Sequence, residues 1–228
     1  MRTGLLVGLL GVTAMAVALL VAEPAVAVVL AVLGGGAAGV AARLLVSALP
    51  RGTPVPPGPC EVATAALWAV ITAQWAAGGL PGWWVPTACV LTWVAVPLVL
   101  VDIRHRRLPD ALTLGALPLL AAALAVAAVA GGGGEVAVRA VLGAVGFFAV
   151  HAVIAWVRPG SLGGGDVKLA LMVGAVLGVV GVEALLVALV GASLVTLALI
   201  AAVPRWRSGA PHGPGMLGAA CALVIVGM

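Results

Sequence analysis

The chain has 228 residues, 64% of them hydrophobic and 8% charged, with a net charge of +4 and a mean hydropathy of +1.30. One soluble core of this size cannot enclose so much apolar surface, so an ordinary water-soluble domain is excluded. The composition predicts an all-α fold, a polytopic transmembrane helical bundle forming a single integral membrane domain over 1–228.

Crossing about 30 Å of hydrocarbon takes roughly 20 apolar residues. Dividing the chain at its charges, prolines and glycine clusters leaves nine intervals of that kind: 4–22, 25–49, 62–80, 83–101, 111–130, 136–157, 167–182, 184–203 and 215–228. Eight or nine spans are therefore expected, the last being short and the seventh and eighth separated only by Gly181 and Glu183. The first interval also admits a signal-peptide reading, with Arg2 ahead of it and small residues around Ala22-Glu23-Pro24-Ala25, although its length and the span that follows favour a membrane helix.

Charge placement gives an orientation. With the N-terminus inside, Arg2, Arg43, Arg51, Arg104, Arg106, Arg107, Arg158, Lys168, Arg205 and Arg207 fall on the cytoplasmic side and only Arg139 falls outside, in line with the positive-inside bias. Glu23, Glu135 and Glu183 lie at the opposite ends.

In chain order, the second span carries Gly35-Gly36-Ala37-Ala38-Gly39, small residues that let a neighbouring helix come close. A proline-rich cytoplasmic loop follows over 50–61 and joins the N-terminal spans of 1–49 to the remainder, 62–228; its prolines disfavour helix. The next hairpin turns at Gly78-Gly79-Leu80-Pro81-Gly82, and Trp83 and Trp84 after it suit the outer headgroup layer. Trp68 and Trp75 share a helix face, a pattern of packing or lipid contact. Cys60, Cys89 and Cys221 form no CxxC pair, which argues against a zinc site and a disulfide framework, and no metal or cofactor is expected.

Val101-Asp102-Ile103-Arg104-His105-Arg106-Arg107-Leu108-Pro109-Asp110 is the most charged stretch. Its arginines and histidine serve as an inner-face anchor, Pro109 opens the next helix, and Asp110 suits that helix's positive N-terminal end. Asp102 is different. It closes an apolar helix at the negative end of the macrodipole, where a carboxylate is disfavoured, so its presence asks for a further reason. His151 lies inside the span 136–157 and is either a functional group or a neutral imidazole bonded to a backbone carbonyl.

Ser161-Leu162-Gly163-Gly164-Gly165-Asp166-Val167-Lys168-Leu169 brings a second aspartate to the mouth of an apolar helix. Taken alone, Asp166 reads as a helix N-cap and Lys168 as an inner-face anchor. Taken with Asp102, it supplies the second of two carboxylates at one membrane edge. Peptide hydrolysis by such a pair uses one ionised group to take a proton from water and one protonated group to polarise the carbonyl, and neighbouring like charges favour that split. The side-chain-free glycines before Asp166 leave room for an extended substrate backbone.

Gly163-Gly164-Gly165-Asp166 resembles the GxGD motif of the type IV prepilin peptidases, with Val167-Lys168-Leu169, Gly174 and Gly178 continuing the likeness. Asp102 followed by Leu108-Pro109-Asp110 is similar to the family's first motif, and His212-Gly213-Pro214-Gly215 to its C-terminal Gly-Pro element. The resemblance extends over roughly 40–228. It implies a membrane-embedded aspartic endopeptidase that removes the basic leader from type IV prepilins or pseudopilins at the cytoplasmic face of the inner membrane, with 62–228 as the peptidase core. Asp102 and Asp166 would be the catalytic pair. Gly163, Gly165, Lys168, Asp110, Gly213 and Pro214 would form the active-site and substrate-binding surroundings. The expected partners are the prepilin and membrane lipid, with anionic headgroups meeting Arg104, Arg106 and Arg107, and no nucleic acid.

Larger members also carry a tetracysteine zinc domain in the first inner loop and methylate the new N-terminus. Here that loop holds one cysteine, Cys60, so cleavage without methyl transfer is expected. The competing readings are a proton-coupled transporter using Asp102, Asp166 and His151 as a relay, and a structural membrane subunit whose aspartates only cap helices.

Overall fold

The computed structural model describes residues 23–49, 54–207 and 209–227; the expected first span, 4–22, lies outside them. Among the described residues every regular element is helical. Nine α-helices follow in order: α1 Pro24–Ala48, α2 Pro59–Ala76, α3 Val85–His105, α4 Asp110–Thr113, α5 Leu117–Ala127, α6 Gly133–Val157, α7 Gly164–Val180, α8 Val182–Ala202 and α9 Gly213–Val226. Among the described residues five segments are long and apolar enough to cross a membrane: Pro24–Ala48, Val85–His105, Asp110–Gly131, Gly133–Val157 and Val182–Ala202. The intervals expected at 167–182 and 215–228 do form helices, but α7 has 17 residues and α9 has 14. At 1.5 Å per residue those are about 26 and 21 Å long.

The chain divides into two compact units, 1–97 and 98–227. In the first, α1 packs on α2 through the expected small residues. A Cβ on Gly35 would stand 2.7 Å from Ala65 Cα, and one on Gly39 would stand 2.5 Å from Glu61 Cα. Glu61 accepts from Arg43 Nε at 2.6 Å and from the Gly58 N–H at 2.8 Å, closing the start of α2. The helix thus begins at Pro59, inside the segment expected to be loop through Glu61, because proline at the first helical position gives up an N–H that has no partner there anyway.

Trp68 is buried and donates from Nε1 to Cys89 O at 3.2 Å, while Trp93 donates to Ala38 O at 2.7 Å. Trp84 departs from its expected place in the headgroup layer. It is fully buried, with the Trp83 ring edge-on to it at 5.9 Å, because the hairpin folds it inward against protein.

The second unit is built on glycine contacts between antiparallel neighbours. α6 and α7 meet where Gly143 backs onto the Gly174 carbonyl and the Gly178 backbone. A Cβ on Gly178 would stand 2.7 Å from Gly143 Cα, and one on Gly174 would stand 2.6 Å from Phe147 Cβ. Without side chains at these points the backbones come into direct contact. Gly181, at φ +152, makes the break between α7 and α8 that a side-chain-bearing residue would resist. α9 packs against α7 and α8 and returns its N-terminus to the start of α7.

Gly178→Leu is expected to lower the melting temperature of the detergent-solubilised protein, since overpacking costs about 1–3 kcal/mol and here the obstacle is backbone. Gly146→Ala, with nothing within 4 Å of the added carbon, is expected to leave it unchanged. Equal melting curves for the two variants would show that the α6–α7 contact is not tight.

Candidate active site

Asp102 sits in the last turn of α3 and is 4% exposed. The helix stops just beyond it: Arg106 takes a left-handed φ of +50 and donates its N–H to Asp102 O at 2.7 Å. The Arg106 guanidinium then reaches Gly209 O at 3.2 Å and ties this turn to the segment before α9. The Asp102 side chain is met by Gly213, which donates its N–H to Oδ2 at 3.1 Å from the first residue of α9. The N-terminal end of α9 therefore offsets the unfavourable C-terminal end of α3. A Cβ on Gly213 would stand 2.6 Å from Asp102 Oδ2, so only glycine brings the amide this close. Pro214, next in the helix, occupies a first-turn position where its missing N–H is harmless.

Asp166 is placed by the opening turn of α7. The expectation that it caps the helix needs correction. Gly163 is the N-cap, and Asp166, three residues on, reaches back to accept the Gly163 N–H on Oδ2 at 3.2 Å. This is the carboxylate half of a capping box, the other half requiring a side chain that glycine lacks. Capping occupies one oxygen only. Oδ1 is buried and has no hydrogen-bond partner among the described residues.

The two carboxylates lie within electrostatic reach of each other. Leu108 links their surroundings. A Cβ on Gly165 would meet Leu108 Cβ at 2.9 Å, and one on Gly213 would meet Leu108 Cδ1 at 3.5 Å. Gly165 is thus needed for contact with this leucine, while Gly164 faces open space.

Asp110 and Lys168 bind each other. Lys168 Nζ lies 2.8 Å from both Asp110 oxygens and pins α4 to α7. With side chains 41% and 54% exposed, the ion pair contributes at most about 1 kcal/mol.

Sequence reasoning left His212 unassigned and His151 ambiguous. Both rings are here, with centroids 6.3 Å apart. His212 Nδ1 lies 2.8 Å from Thr196 Oγ1, whose own proton goes to Ala192 O at 2.8 Å, so His212 is the donor between them. Burial pushes the His212 imidazole below its ordinary value and keeps it neutral near pH 7. The available signal was spacing: Arg139, Gly143, Phe147 and His151 recur every four residues and form one face of α6.

The site holds two carboxylates from different helices, Asp102 buried and Asp166 half-buried with one oxygen lacking a partner, and two imidazoles beside them. Residues 89–201 match the model of the type IV leader peptidase family. The chain carries a type IV leader peptidase domain. The match covers Asp102, Asp110, His151, Gly163, Gly165, Asp166 and Lys168, and it is narrower than the 40–228 over which the motifs are similar. Gly213 and Pro214 lie beyond it, and it is folding that brings them to the leader peptidase domain's first aspartate. No curated protein and no solved structure matches the chain.

Gly213→Ala is expected to reduce peptidase activity about tenfold or more, the equivalent of 1.4 kcal/mol of misplacement at Asp102. Gly218→Ala, in open space on the same helix, is expected to be silent. Equal activities would remove Gly213 from the site.

Proposed function

We propose that the protein is a membrane-embedded aspartic endopeptidase that cuts the leader from type IV prepilins or pseudopilins. The observation that carries this reading is that the buried Asp102 and the half-buried Asp166, on separate helices, interact electrostatically within a leader peptidase domain. One carboxylate, ionised, takes a proton from water as the water oxygen attacks the scissile carbonyl carbon. The other, protonated, donates to the carbonyl oxygen. Collapse of the tetrahedral intermediate breaks the C–N bond, and the proton taken from water passes to the leaving amine. Asp166, with an oxygen left over from capping, is suited to contact water. Asp102, bound to Gly213, is suited to a fixed orientation.

The positive-inside bias supports a cytoplasmic active site in the inner membrane, with Arg104, Arg106 and Arg107 facing anionic headgroups. In this reading α2, α7 and α9 are also embedded, with α4 and α5 taken as one span, so that the described helices make eight spans. The activity is cleavage alone, as the segment between α1 and α2 is too short to hold a zinc domain.

The test is cleavage of a leader-bearing prepilin by membranes carrying the wild type or Asp102→Asn, Asp166→Asn or Asp110→Asn. The first two variants are expected to lose about 10²- to 10⁴-fold, the range of a proton-transfer group, at unchanged protein level. Asp110→Asn is expected to stay within a few-fold, since it loses only an exposed ion pair. Activity should follow a bell-shaped pH profile, because one carboxylate must be charged and the other neutral. A wild type that cuts no prepilin, or asparagine variants that still cut, would return the protein to the proton-coupled transport reading.

A further inference from the structure

His151 is 1% exposed within an apolar helix, a costly place for an imidazole without a task. Its Nδ1 lies 2.8 Å from Phe147 O. A carbonyl oxygen can only accept, so Nδ1 carries the proton, and in the neutral ring Nε2 is left with a lone pair. Nε2 is buried and has no hydrogen-bond partner among the described residues, and the same holds for Asp166 Oδ1. An unsatisfied buried polar atom costs on the order of 1–3 kcal/mol, so two in one site ask for a common partner.

Helix packing brings them to the same place. α6 and α7 run antiparallel with Gly143 against Gly174 and Gly178, and with Phe147 against Gly174. One further turn carries α6 to His151 and α7 to Ala170, and a second turn of α7 reaches Asp166 at the helix start. The ring of His151 leans on Phe147 at 4.4 Å, and His151 and Asp166 are in electrostatic range of each other.

Two unsatisfied acceptors on residues that interact electrostatically suit one donor with two hydrogens. We propose that His151 is a positioning residue: Nε2 and Asp166 Oδ1 accept the two hydrogens of a single water, holding the nucleophile against the carboxylate that deprotonates it. The O–H bond directed at Asp166 breaks as the water oxygen bonds to the carbonyl carbon, and its proton moves to the carboxylate. The other hydrogen stays on oxygen, directed at His151, which remains neutral. The inference rests on the proposed peptidase reading.

Two substitutions separate the ring's nitrogens. His151→Asn can keep a donor near the Nδ1 position, facing Phe147 O, but has nothing at Nε2. His151→Gln reaches further and can place its amide oxygen near Nε2 as an acceptor. Prepilin cleavage by the full-length protein in detergent is expected to show kcat reduced up to about 10²-fold in His151→Asn, the scale of a misplaced reactant, with KM little changed. His151→Gln is expected to recover activity to within a few-fold of the wild type, although both variants melt together. A purely structural role at Nδ1 predicts the reverse order, with His151→Asn near wild type. That result, equal loss in both variants, or a loss carried by KM would overturn the proposal while the wild type still cuts. An inactive wild type with active-site geometry intact would remove the peptidase reading and this inference with it.

Discussion

A buried carboxylate at the wrong end of a helix is the constraint on which the second unit depends. Asp102 closes α3 where carbonyl dipoles repel it, and the fold meets that cost with the opposite end of α9. The compensation works only at hydrogen-bond distance, so residue 213 must be glycine, the chain must turn back at Arg106, and the segment ending in His212 must return from α8 to this spot. Much of the route from α4 to α9 can be understood as what is needed to deliver one amide to one aspartate.

Asp166 is held by a different device. The capping interaction with Gly163 fixes the carboxylate through one oxygen and leaves the other turned inward. A capping role and a chemical role therefore coexist in one side chain. The backbone contact of α6 with α7 adds the third member, since the glycines that let these helices touch also set the register that brings His151 towards Asp166. Stability and site geometry share the same small residues here, and a bulky substitution there disturbs both.

The exposed pair Asp110–Lys168 shows the contrast between surroundings and site. Both residues belong to the motifs, yet they bind each other in partial exposure and anchor the short α4 to α7. Their arrangement suits orientation of the loop carrying Leu108, the side chain that touches the neighbourhoods of both Gly165 and Gly213.

The sequence by itself determined the helical, membrane-embedded class, because an apolar majority with sparse charges has few other ways to satisfy its backbone. It also determined which aspartates to watch: Asp102 was anomalous at its helix end, and Asp166 followed a run of glycines. It did not determine span lengths at α7 and α9, since helix ends follow caps and breaks such as Gly163 and Gly181 more than hydropathy. Nor could it place Trp84, whose burial depends on the turn of a hairpin. Only the tertiary structure decided that the amide of Gly213 meets Asp102, that Asp166 keeps an oxygen without a partner, and that the buried His151 lies within electrostatic range of it. Those are contacts between segments far apart in the chain, and they depend on the register of packed helices, which no local pattern of residues encodes.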